Sequence, residues 1–135
     1  MPHDVSITTF GYLHGAAPLA NITLDLRSHF RDPHYNPALR YLTAEHEVVR
    51  AVVMTTPGIQ ALIDSTTAVV LAYLAGPGTG PVTVAVGCAG GIHRAPTVGA
   101  QIAQALDVLW GVPVTLTHRD LDKPVINREE VTPSN

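Results

Sequence analysis

The chain is poor in charge. Only 14% of its 135 residues are Asp, Glu, Lys or Arg, the net charge is −3, and Lys123 is the single lysine. Non-specific nucleic-acid binding depends on dense positive charge, so this chain is a poor electrostatic match for it. Cysteine is almost absent. Cys88 alone excludes an internal disulfide and suits a reducing compartment. Long hydrophobic runs are missing as well: the longest, Ala68 to Ala75, is too short to span a bilayer. Met1-Pro2-His3-Asp4 lacks the basic and apolar regions of a signal peptide. A cytoplasmic protein with no membrane partner is expected, and the sequon Asn21-Ile22-Thr23 is then a coincidence. No Gly-x4-Gly-Lys-Ser/Thr segment occurs, which excludes a Walker-type ATP site. The seven histidines form no HxH or HExxH pair, so neither a metal site nor a cofactor is expected.

What remains is 46% hydrophobic, enough for one domain with a real core. Val5–Phe10 alternates like a strand, and Asn21–Leu26 reads as a second. Only about ten residues separate them, too few for a helical crossover. An antiparallel pair or a wide connection follows, and with it a mixed sheet. Thr43 caps a helix over Ala44–Met54. Thr56-Pro57 opens the next, whose apolar stripe runs from Ile59 to Leu74. The cluster Gly76–Pro81 precedes a strand, whereas a dinucleotide fingerprint must follow one, so a Rossmann site is rejected. Val82–Val86 is a buried strand, and apolar positions at Val98, Ile102, Ala105, Leu106 and Leu109 mark a helix ending near Trp110-Gly111. Val112–Thr117 reads as the last strand. The expected architecture is α/β, a three-layer α/β/α domain over residues 1–123 around a four-stranded sheet. Residues 124–135, polar and aperiodic, read as a partly ordered tail.

The chemistry concentrates between the third strand and the helix after it. Gly87-Cys88-Ala89-Gly90-Gly91-Ile92-His93-Arg94 combines a glycine-rich turn with a helix start. Such a turn can aim successive N–H groups inward, and the helix adds its own unpaired N–H groups and positive dipole end. With Arg94 as a charged fork at the rim, this reads as an anion site formed by Gly90, Gly91, Ile92, His93 and Arg94, suited to phosphate. If the last strand lies parallel beside the central one, His118 and Arg119 emerge at the same edge, and Arg27 joins from the second strand. His118-Arg119-Asp120 also matches a kinase catalytic loop superficially, but the other kinase elements are missing.

Cys88 and Arg94 have the Cys-x5-Arg spacing of cysteine-dependent phosphatases. In those enzymes a thiolate attacks phosphorus and the arginine grips the phosphoryl oxygens. Asp32 and Asp120 are the general acids available to that reading. Ala95, where those enzymes usually carry Ser or Thr, counts against it.

Taken together, these segments resemble the C-terminal domain of the RNase adapter protein RapZ family. The resemblance rests on Thr9-Phe10-Gly11, Leu24-Asp25-Leu26-Arg27, Asp32-Pro33-His34-Tyr35, Leu39-Arg40, Leu42-Thr43, the loop Gly87–Arg94, and His118-Arg119-Asp120. It implies an α/β domain that binds a phosphosugar, glucosamine-6-phosphate in the well-known case, through His34, Gly90 and Arg94 with Arg27 nearby. It also implies oligomerisation and an interface with a small RNA and an endoribonuclease. The domain reads as stand-alone, without the P-loop ATPase domain of full-length members. Departures from the family pattern fall at Ala89 and Ala95, which remove two hydroxyls, and at Thr43-Ala44-Glu45-His46. The expected function is a non-enzymatic sensor or adapter binding a small phosphorylated metabolite. A Cys88 phosphatase and an RNA-binding adapter are the alternatives.

Overall fold

The computed structural model describes residues 4–128. Residues 1–3 of the expected domain and 129–135 of the expected tail lie outside the described residues. In chain order the elements are β1 (Val5–Gly11), β2 (Ile22–Asp25), α1 (Glu47–Met54), α2 (Ile59–Ala75), β3 (Val82–Cys88), α3 (Arg94–Trp110) and β4 (Val114–His118). Short 3-10 turns occupy Tyr12–His14 and Pro33–Tyr35.

The fold is α/β, as expected, but the sheet is not mixed. Its order is β2-β3-β1-β4, and all three pairings are parallel. The connection from β1 to β2 is wide, stepping past β3. Ten extended residues reach roughly 30 Å, longer than a strand of this sheet, so the chain returns to the sheet's starting edge without a helix. Asn21 closes this return. Its backbone N–H donates to Thr83 Oγ1, and its Oδ1 accepts from the Thr83 N–H.

The layering also differs from expectation. α3 packs on β1, β3 and β4, and both α1 and α2 pack on α3, so the helices share one face. Parallel strands covered on both faces read as continuous apolar runs. Here they alternate: Val5, Ile7, Val82, Val84 and Val86 join the core, while Ser6, Thr8 and Thr83 lie on the opposite side, half-buried. The same alternation in β2 and β4 exposes Thr23, Asp25, Thr115 and Thr117. One helical layer on one sheet is the result.

Helix boundaries follow local chemistry. α1 begins three residues after the expected start. The Thr43 hydroxyl accepts from the Glu45 N–H, making a separate turn before the helix. Gly58, at φ 90°, separates α1 from α2 in a left-handed conformation that favours glycine. These two helices bend by 83° at the break, and no single helix among the described residues is long and apolar enough to cross a membrane. α3 ends at left-handed Gly111, whose N–H donates to the Asp107 carbonyl as a left-handed helix-ending motif requires. Because the sheet is parallel, every strand delivers its C-terminal end to one edge.

Candidate functional site

At that edge, β1 and β3 lie side by side and their following segments leave for different parts of the molecule. This is where open α/β sheets take ligands. The two strand ends touch through glycine. A Cβ at Gly11 would come within 2.4 Å of the Gly90 carbonyl carbon, and one at Gly91 within 2.7 Å of the Gly11 nitrogen. Gly91 is also left-handed, at φ 77°. These two positions exclude any side chain.

The loop is held by its carbonyls. The Leu13 N–H donates to Ala89 O at 3.0 Å, and the Ala44 N–H donates to Ile92 O at 2.8 Å. The amides of Gly90, Gly91 and Ile92 donate to no group among the described residues. His93, at the N-cap of α3, makes no side-chain cap. Its ring is turned away, with Nε2 at 2.7 Å from Leu42 O and 3.2 Å from Leu39 O. Carbonyls only accept, so the proton sits on Nε2. Burial pushes the His93 pKa down.

Arg94 is not at the rim. It is 1% exposed. Its Nη1 donates to the carbonyls of Leu26, Arg27 and Phe30, and its Nη2 pairs with Asp32 at 2.9 Å. The guanidinium expected to meet a ligand instead ties the segment after β2 to the start of α3.

Asp32 is the centre of a second group. Its Oδ2 accepts from Arg94 and also from Arg128, which the sequence reading assigned to the tail. Its Oδ1 accepts from the His34 N–H. Burial works to raise the Asp32 pKa, but Arg94 and then Arg128 outweigh it and hold the carboxyl below its ordinary value. Burial, and then the Arg128 charge, lower His34. Beside these residues lies a cavity of about 270 Å³, lined by His34, Tyr35, Arg40, Tyr41 and Val125–Arg128. Arg40 is held by its Nε, which donates to His34 O. Arg128 links cavity and loop: a Cβ at Gly90 would lie 3.5 Å from its Nη2.

The remaining expected residues gather elsewhere along the edge. β4 pairs with β1 rather than with β3, so His118–Asp120 braces the end of β1. Asp120, fully buried, accepts from the Gly11 N–H at 2.7 Å and pairs with Arg119 and Lys123. Burial opposes its charge, but the bonds from Arg119, Gly11 and Lys123 bring its pKa down to about 2. Arg119 also donates to Ala16 O at 2.7 Å. His118 Nδ1 is hydrogen-bonded to Thr9 Oγ1 at 2.7 Å, and burial lowers its pKa. Arg27 pairs with Asp25 at the surface and stacks over Tyr12 at 3.6 Å. None of these three lines the cavity.

Cys88 belongs to the core. It lies in register with Val82, Val84 and Val86, is 2% exposed, and its Sγ accepts from the Ala95 N–H at 3.3 Å. A phosphatase needs thiol and arginine to face one phosphoryl group. Here the thiol faces the helices and Arg94 is bound to carbonyls. Among the described residues no group of His, Cys, Asp and Glu could hold a metal ion.

A family model of the RapZ C-terminal domain matches residues 3–122. The chain belongs to the RapZ C-terminal domain family. Relatives named nucleotide-binding protein include one from Thermobifida fusca, 38% identical over 87% of this chain, and one from Sphingopyxis alaskensis, 36% identical over 87%. A third, from Heliobacterium modesticaldum, is 34% identical over 88%. The match takes up 40%, 38% and 40% of their respective lengths. This RapZ C-terminal domain thus spans about two-fifths of the relatives it matches. The loop Gly87–Arg94 and Asp32-Pro33-His34 lie inside the matched region, and Arg128 lies beyond it.

Proposed function

We propose that this chain is a non-enzymatic sensor domain that binds a small phosphorylated metabolite, a phosphosugar, where the Gly90–His93 loop meets the cavity beside His34. One observation carries the reading. Three consecutive amides, those of Gly90, Gly91 and Ile92, have no acceptor among the described residues, at the uncapped start of a 17-residue helix. A buried N–H without a partner costs about 1–3 kcal/mol, and Gly91 and Ile92 are buried residues. A phosphate oxygen is the acceptor such a helix start favours.

Charge supports the same reading. Arg94 and Arg128 both pair with one carboxylate, Asp32, and Arg40 lines the adjoining cavity. The cavity, about 270 Å³, falls just below the usual size of ligand pockets, roughly 300 to 1,000 Å³. That suits a monosaccharide phosphate better than a nucleoside triphosphate. The relatives' name makes nucleotides the comparison to run.

Calorimetric titration with glucosamine-6-phosphate, unphosphorylated glucosamine, AMP and ATP tests this. The expected result is preference for the phosphorylated sugar. Gly90→Asp, which puts a carboxylate against the amides, is expected to weaken it at least tenfold. Equal, weak binding of all four compounds by the unmodified chain would end the reading.

A further inference from the structure

Asp32 carries one negative charge and is paired with two guanidinium groups on the same oxygen. Arg94 alone satisfies it, and Arg94 is fixed by three further carbonyls. Among the described residues, Arg128 therefore brings a surplus positive charge into a site where its side chain is 11% exposed. Its Nε is buried and bonded to nothing among the described residues. A buried charge without a counter-charge is costly, and the cost falls when an anion joins it. Arg128 is also the residue that both lines the cavity and reaches Gly90. Val125 and Ile126, on the same segment, form another part of the cavity wall.

Building on the phosphosugar reading, we propose that Arg128 is the phosphate clamp of this domain. The segment Pro124–Arg128 is then a strap that closes over a bound phosphomonoester. Arg94, expected to be the clamp, is the positioning residue that holds Asp32 and the 26–32 segment in place. On binding, the ligand's phosphate takes the loop amides on one side and the free edge of the Arg128 guanidinium on the other. A phosphomonoester dianion supplies the charge that one carboxylate cannot. Arginine suits this role because its planar fork can hold two phosphate oxygens together, which a lysine ammonium cannot reproduce.

The test uses the full chain, as the unmodified protein and as Arg128→Ala and Arg128→Lys. Each is titrated with glucosamine-6-phosphate and with glucosamine, and amide hydrogen exchange is followed over residues 124–128. The clamp predicts at least a tenfold loss of glucosamine-6-phosphate affinity in Arg128→Ala and a smaller loss in Arg128→Lys, with glucosamine binding unchanged. It also predicts that the phosphorylated sugar slows exchange across 124–128 in the unmodified chain and not in Arg128→Ala. Should Arg128→Ala not fold, the lysine variant and the exchange experiment still decide. Arg128 variants that bind glucosamine-6-phosphate within twofold of the unmodified chain would overturn the clamp and leave the phosphosugar reading standing. An unmodified chain that does not discriminate the two sugars would overturn both.

Discussion

The guanidinium of Arg94 meets the segment after β2 at four acceptors, the carbonyls of Leu26, Arg27 and Phe30 and the carboxylate of Asp32. Removing it leaves those groups buried and under-satisfied. Breaking a buried pair of this kind costs about 3–5 kcal/mol. Arg94→Ala is therefore expected to lower stability by about that much in urea titrations without any ligand. Arg94→Lys should recover only part, because one ammonium cannot span four acceptors in a plane. Arg128→Ala should cost less than half as much, since Asp32 keeps Arg94. The sequence showed that Arg94 mattered but not where its side chain would point. Its acceptors are mainly backbone carbonyls more than 60 residues away, and carbonyls are the same for every residue type. Arg128 was harder still. It lies in a polar stretch without periodicity, and no local pattern there marks a segment that packs on the domain.

Titration at the same scale has a definite direction. His34, His93 and His118 all have pKa values below 6.5, each chiefly through burial. In the unfolded chain they take up protons near 6.5, before the folded protein does. The unfolded state then binds more protons, so stability falls as pH drops below about 6.5. Thermal melts at pH 7.5 and 5.5 should show a lower midpoint at the acid value, and His93→Gln should reduce the difference.

Between elements, contact depends on missing side chains. Gly99 in α3 faces β1, and a Cβ there would come within 2.4 Å of Thr9 Cγ2. Thr9 cannot swing aside easily, because its hydroxyl is bonded to His118. Gly99→Ala gains about 1 kcal/mol of helix propensity but forces α3 off the sheet, so a net loss of about 1–3 kcal/mol is expected. Thr9→Ser keeps the hydroxyl and removes the methyl. The double variant should regain much of the loss, which chemical denaturation of all four proteins will show. The elements themselves were legible in sequence, since strand alternation and helical stripes are local. Strand direction and layering were not. The short β1–β2 link argued against a helical crossover, and correctly so, but it left open an extended return path between parallel strands. The alternation of Val5-Ser6-Ile7-Thr8 and Val114-Thr115-Leu116-Thr117 already carried the sign of a sheet covered by helices on one face only.

Across the molecule, most of the positive charge is neutralised locally. Arg27, Arg94, Arg119, Arg128 and Lys123 each pair with a carboxylate. A gel shift with structured RNA at moderate salt should show only weak retention, since binding needs a concentrated basic face. The strand order has a further effect. β1, the first strand of this domain in chain order, lies between β3 and β4, and bonds such as Thr9 to His118 join residues 109 apart. During synthesis at roughly 5–20 residues per second, β1 waits several seconds with both hydrogen-bonding edges bare. Nascent chains halted before Val114 should be cut rapidly by protease, whereas completed chains resist. The ribosome must finish nearly the whole of this domain before its central strand has both neighbours.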